Sequence, residues 1–175
     1  MSGQRRTPQT VDLLDVGIQS RIPLKELVTQ ITELASLQNH GSSTTVKLLF
    51  LSARVSKMCN KSETDRRKIT RALTETVAHM ALSDMNVADC AQVLWSCAIL
   101  GLKPKIDSRI VAKFPTATDK ELCNAVWALS KWARQDTQVK EVFHQLVNSI
   151  DESRYSSFTD EDVTAITRAL AVASE

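Results

Sequence analysis

Chemistry needs the right side chains within reach of one another, so the titratable and nucleophilic residues come first. His40, His79 and His144 fall in separate segments, and none has a partner at a metal-ligand spacing. Cys59, Cys90, Cys97 and Cys123 form no C-x-x-C. Cys90 and Cys97 share one face of one helix, where a thiol acts as a small apolar packing group and fits a reducing compartment. Gly3, Gly17, Gly41 and Gly101 are isolated, so there is no phosphate loop, and no G-x-S-x-G or Cys/His signature occurs. Asp160, Glu161 and Asp162 are three adjacent carboxylates, but they stand at a helix start, where acids complement the positive end of the helix dipole. The expectation is no catalysis, no metal, no cofactor and no small-molecule substrate.

The side chains that do gather are basic. Residues 47–71 hold Lys47, Arg54, Lys57, Lys61, Arg66, Arg67, Lys68 and Arg71 against Glu63 and Asp65. Arg67 and Arg71 stand at i, i+4 on one helical face with Lys68 beside them. Arg54, Lys57 and Lys61 lead into the same hairpin, and Lys103, Lys105, Lys131 and Arg134 recur near the ends of two later helices. Such a track suits a row of phosphates, and a solvated helix face is the plainer alternative. The formal net charge is only +2 and residues 151–175 are mainly acidic, so any phosphate-binding surface is local. Aromatic faces would serve base stacking. Trp95 and Trp127 occupy apolar helix positions and are expected in the core; Trp132, five residues beyond Trp127, falls on another face and is expected to be exposed.

The elements that must position these groups read as helices. With 43% hydrophobic residues, four Gly and four Pro, the composition argues against disorder and against a turn-rich β design. No apolar run approaches the roughly 20 residues that span a bilayer, so no membrane association is expected. Residues 1–22 read as a flexible arm and 23–175 as the helical domain. After Pro23, the positions Leu24, Leu27, Val28, Ile31, Leu34 and Ala35 line one face. "NHGSS" at 39–43 breaks the chain before a helix from Thr44 to Met58. A third helix carries Ile69, Ala72, Leu73, Val77 and Met80 on one side. Later come a short helix near Asp107–Phe114, ended by Pro115, and a longer one over 136–150 with Val139, Val142, Phe143, Leu146, Val147 and Ile150 in helical register.

Three helix starts share one pattern: Asn86 with Asp89, Thr118 with Glu121 and Thr159 with Asp162 each place a capping side chain three residues before an acid. Two of the boxes use Asp, which is shorter than the usual Glu, and are expected to be imperfect. Nine residues past each cap stand Trp95, Trp127 and Arg168, and Phe50 fits the same point of an earlier copy. The pattern predicts stacked helical hairpins, none able to bury its own apolar stripe. Small residues at Ala91, Cys97, Ala98, Cys123, Ala125, Ala128 and Ser130 let neighbouring helices approach, with one Trp per repeat expected to fill the space between layers.

On these residues, "NVADCAQVLWSCAILGLKP" and "TDKELCNAVWALSKWA" resemble octotricopeptide and heptatricopeptide helical repeats, and the helical repeats of FAST-kinase-like proteins. The likeness is good over 85–134, fair over 158–171 and poor before 85. Many members carry a C-terminal RAP domain; none is expected from the residues here, which close on the repeat-like "AVASE". The resemblance implies an all-α solenoid of degenerate hairpins acting on single-stranded or ribosomal RNA in a mitochondrion, with a plastid or the cytoplasm as alternatives. The expectation is therefore a non-catalytic RNA-binding protein within a larger ribonucleoprotein, whose other proteins dock on the C-terminal repeat face. The alternative is a protein–protein scaffold or a structural subunit of an organellar ribosome, without RNA contact of its own.

Overall fold

The computed structural model describes residues 23–36, 42–59 and 62–174. Among them the chain is helical, and the only β contact is an isolated bridge between Ala81 and Lys105. In order come α1 (Leu24–Ser36), α2 (Ser42–Met58), α3 (Glu63–Ala78), α4 (Val87–Leu100), α5 (Asp119–Ala133), α6 (Thr137–Asn148), α7 (Glu152–Tyr155) and α8 (Asp160–Ser174). Short 3-10 segments stand at Leu82–Asp84 and Ser108–Thr116. The expected all-α class is what these residues show; the arm assigned to 1–22 lies outside them. Among the described residues no helix is long and apolar enough to cross a membrane.

The helix starts follow from their side chains. Thr118 and Glu121 close a full capping box: the Glu121 N–H donates to the Thr118 hydroxyl at 3.3 Å and the Thr118 N–H donates to the Glu121 carboxylate at 2.7 Å. Thr159 and Asp162 close theirs as fully, with N–H bonds of 3.2 and 3.0 Å, although Asp is a methylene shorter than Glu. Only the first box is incomplete. Asp89 donates its N–H to Asn86 at 2.8 Å, but its carboxylate takes the Asn86 side-chain amide instead of the backbone N–H. Gly101 ends α4 with φ of 70°, a left-handed cap that glycine adopts without strain. The segment placed near Asp107–Phe114 is a 3-10 run that continues through Pro115 to Thr116, with Asp107 as its N-cap.

The apolar faces read from the sequence are the buried ones. Leu27, Val28, Ile31, Leu34 and Ala35 of α1, Ile69, Leu73 and Val77 of α3, and Val139, Val142, Phe143 and Leu146 of α6 all enter one core. α4 packs between α2 and α5, and α5 packs between α4 and α8, so these four helices form a row. α1 packs on α3, and α6 packs on α5 and on the 3-10 segment Ser108–Thr116. Within the row, Ala91, Cys97, Cys123, Ala125, Ala128 and Ser130 are buried, which allows close helix approach.

The tryptophans lie otherwise than expected. Trp95 and Trp127 are half-buried, each packing against the rim of the core. Trp132, expected at the surface, is buried with 9% of its area exposed. At 100° per residue Trp132 does stand about 140° around α5 from Trp127, but its side is the core side, shared with Leu122, Leu129 and Ala133. The small residues already fill the space between helices, leaving the large rings of Trp95 and Trp127 at its edge.

Candidate nucleic-acid interface

The edge where the Trp95 ring lies is a groove. A cavity of about 610 Å³ runs over α2, α4 and the start of α5, lined by Phe50, Arg54, Lys57, Met58, Ala88, Ala91, Gln92, Trp95, Thr118, Lys120, Glu121 and Asn124. Matched positions line it from two helices: Ala88 and Gln92 on α4 correspond to Lys120 and Asn124 on α5, each shifted by 32 residues, and Trp95 on α4 has Trp127, outside the lining, as its counterpart. Trp127 is one turn beyond Asn124 on the same face. On α8 the matching residues Glu161, Ala165 and Arg168, with Asp160 and Thr164, line a separate hollow of about 320 Å³.

Cations stand over the rings. Lys57 Nζ lies 4.8 Å from the centroid of Trp95, reaching across from α2 to α4. Lys131 Nζ lies 4.9 Å from Trp127, and the Arg54 guanidinium 5.8 Å from Phe50, each one turn along the same helix. Phe50 and Trp95 face each other with centroids 5.8 Å apart and planes tilted by 46°. Such cation–ring contacts are worth about 0.5–1 kcal/mol at exposed sites, enough to pre-place a side chain and weak enough to release it. Arg54 and Lys57 form no ion pair among the described residues, so their charge is available.

The α3 cluster is a different surface. Arg67 donates to Glu63 at 3.0 Å, Arg66 lies 4.0 Å from the same carboxylate, and Lys68 lies 3.9 Å from Asp65. Arg66, Arg67 and Arg71 line a hollow of about 390 Å³ with Thr70, Thr74 and Leu100, and none of them enters the groove. The later residues divide as well. Lys103 is paired with Asp136, whose carboxyl is held below the usual range by that hydrogen bond and by the Val139 N–H it caps. Lys105 is exposed at the bridge with Ala81, and Arg134 is the exposed C-cap residue of α5. Lys61 lies outside the described residues. Of the eleven residues expected on one track, the structure therefore brings Arg54 and Lys57 into the groove and sets Lys131 beside its α5 end.

The groove's α5 end is fixed from the C-terminal side. Arg154 donates to Asp119 at 2.9 Å, to the Phe114 carbonyl at 3.2 Å and to the Ala117 carbonyl, while Ser157 donates to the other Asp119 oxygen at 2.9 Å. These bonds hold the turn that carries Thr118 and Lys120. The thiols take no part: burial pushes Cys90 and Cys97 up to about 12, and burial with the nearby Asp162 charge does the same for Cys123. Among the described residues no three His, Cys, Asp or Glu side chains gather as metal ligands.

No family model, curated protein or solved structure matches this chain. The site therefore stands on its own geometry.

Phe50, Gln92, Lys120 and Asn124 line the groove and were not singled out as binding residues. A signal for part of the site was in the sequence: Phe50 and Trp127, at one repeat position, each have a basic residue four further on, Arg54 and Lys131. The Lys57–Trp95 contact has no such signal, because it joins residues on two helices.

Proposed function

We propose that this protein is a non-catalytic RNA-binding protein of the helical-repeat type, built as a short α-solenoid, that holds single-stranded RNA along the groove of α2, α4 and α5. The observation that carries this reading is a lysine standing over a half-buried tryptophan on each of two neighbouring helices: Lys57 of α2 over Trp95 of α4, and Lys131 over Trp127 within α5. Single-stranded nucleic acids are held by this combination, in which aromatic faces stack on bases and nearby cations meet phosphates. Arg54, and Lys120 at the α5 end, extend the positive lining, whereas the separate hollow on α8 has Asp160 and Glu161 in its lining. The octotricopeptide-like segments support the same reading and a mitochondrial ribonucleoprotein as its setting, with a plastid or the cytoplasm as alternatives.

The test is fluorescence polarisation of labelled single-stranded RNA at increasing salt, for the wild type and a Lys57→Glu/Lys131→Glu variant. Binding should weaken with salt and fall on the order of 100-fold in the variant, with an unchanged melting temperature. Absence of binding, or binding indifferent to both reversals, would overturn the reading.

A scaffold reading has one observation of its own. Val163 and Leu170 on α8 are 47% and 36% exposed, yet they match the buried Leu122 and Leu129 of α5, the helix against which α6 packs. A helix from another protein would cover them as α6 covers α5. Loss of the RNA reading in the titration above would make this surface the leading one.

A further inference from the structure

We propose that the groove reads bases as well as holding the strand, and that Gln92 and Asn124 are the reading residues, one base each, with a preference for adenine. This rests on the RNA reading above. Both side chains line the groove, and each stands three residues before its tryptophan and six after its cap, so the two amides are register-matched on adjacent helices. No described residue takes either side-chain amide as a hydrogen-bond partner, although other polar side chains of the same helices are engaged: Asn86 with Asp89, Thr118 with Glu121 and Ser130 with the Trp127 carbonyl. An amide offers one acceptor oxygen and an NH₂ donor on one planar group, which suits the adjacent N6–H donor and N7 acceptor of adenine.

The spacing of the helices sets how a strand must lie. Packed helices are about 8–10 Å apart, whereas stacked nucleotides on one strand are separated by about 3.4 Å. A strand crossing from α4 to α5 is therefore stretched and its bases splayed. Each base then has its own ring, Trp95 or Trp127, and its own amide one turn before that ring. The corresponding positions on the flanking helices are Lys47 and Ala165, neither of which has an amide, so reading is confined to the two central helices.

The experiment compares short single-stranded homopolymers of adenosine, uridine and cytidine, bound to the full chain at one salt concentration. Wild type should prefer the adenosine polymer, with discrimination on the order of 10-fold or more per reading position. Gln92→Glu and Asn124→Asp keep the shape but replace the donor with an acceptor. Each should move the ratio toward cytidine, whose N4 amine suits a carboxylate. Ratios are compared instead of absolute affinities, because the added negative charge weakens every polymer alike. Equal, salt-sensitive binding of all three by wild type overturns the base-reading proposal and leaves the RNA groove standing. An adenosine preference unmoved by either substitution also overturns it. Failure to bind any polymer removes the RNA reading itself, and binding of an acidic peptide instead would assign the groove to protein.

Discussion

Two basic regions, one on α2 and one on α3, look alike as residue lists and differ as surfaces. On α3, Arg66, Arg67 and Lys68 each lie beside a carboxylate one turn back, and the cluster's field is partly cancelled where it arises. On α2, Arg54 and Lys57 lean over aromatic rings and meet no acid among the described residues. A ring keeps a cation in place without neutralising it. The difference teaches that the charge available to a ligand depends on what each cation already touches, more than on how many there are.

The comparison also depends on Trp95 and Trp127 keeping one side to solvent, and that gives the largest expected effect. Trp132→Ala should destabilise the fold by about 3–5 kcal/mol, as for a buried aromatic. Trp127→Ala, at the rim, should cost about 1–2 kcal/mol, since only part of its area is removed from water. Denaturant melts of both variants measure this directly. Equal losses would make Trp127 a core residue and remove the Lys131–Trp127 pair from the comparison.

Charge reversal then separates the two regions by function. Arg66→Glu with Arg67→Glu should lower affinity for single-stranded RNA by no more than about 5-fold, far less than the groove reversals. A loss as large as that of the Lys57/Lys131 variant would return the site to α3. The smallest effect sharpens the same point from the other side. Glu63→Ala frees Arg66 and Arg67, and polarisation should show a gain in RNA affinity of about 2- to 3-fold. Stability should change by less than about 1 kcal/mol, because the pairs are exposed.

Some of this was legible without a structure. The capping pairs at Asn86, Thr118 and Thr159 follow from local chemistry, since a cap and its acid lie within one turn. The buried stripes of α1, α3 and α6 follow from periodicity, because their polar faces are clear. Depth within α4 and α5 was not legible. These helices are apolar around most of their circumference, so position on the helix does not say which large residue meets water. Trp127 and Trp132 were rightly placed on different faces, but the wet face was assigned to the wrong one. The division of the basic residues was hidden for a related reason. Lys57 finds Trp95 across a helix–helix contact, and Lys103 finds Asp136 across 33 residues, distances that spacing alone does not encode.

The Arg154 guanidinium has a bearing on cooperativity. In a row of helices, each supported mainly by its neighbours, the ends can open without the middle. Arg154 interrupts that independence by joining the segment after α6 to the turn before α5, across 35 to 40 residues. Fraying that begins at α8 and reaches α7 therefore loosens the first turn of α5 at the same moment. The groove's mouth and the C-terminal segment form one opening unit, and slow hydrogen exchange at the start of α5 would be set by events beyond residue 151.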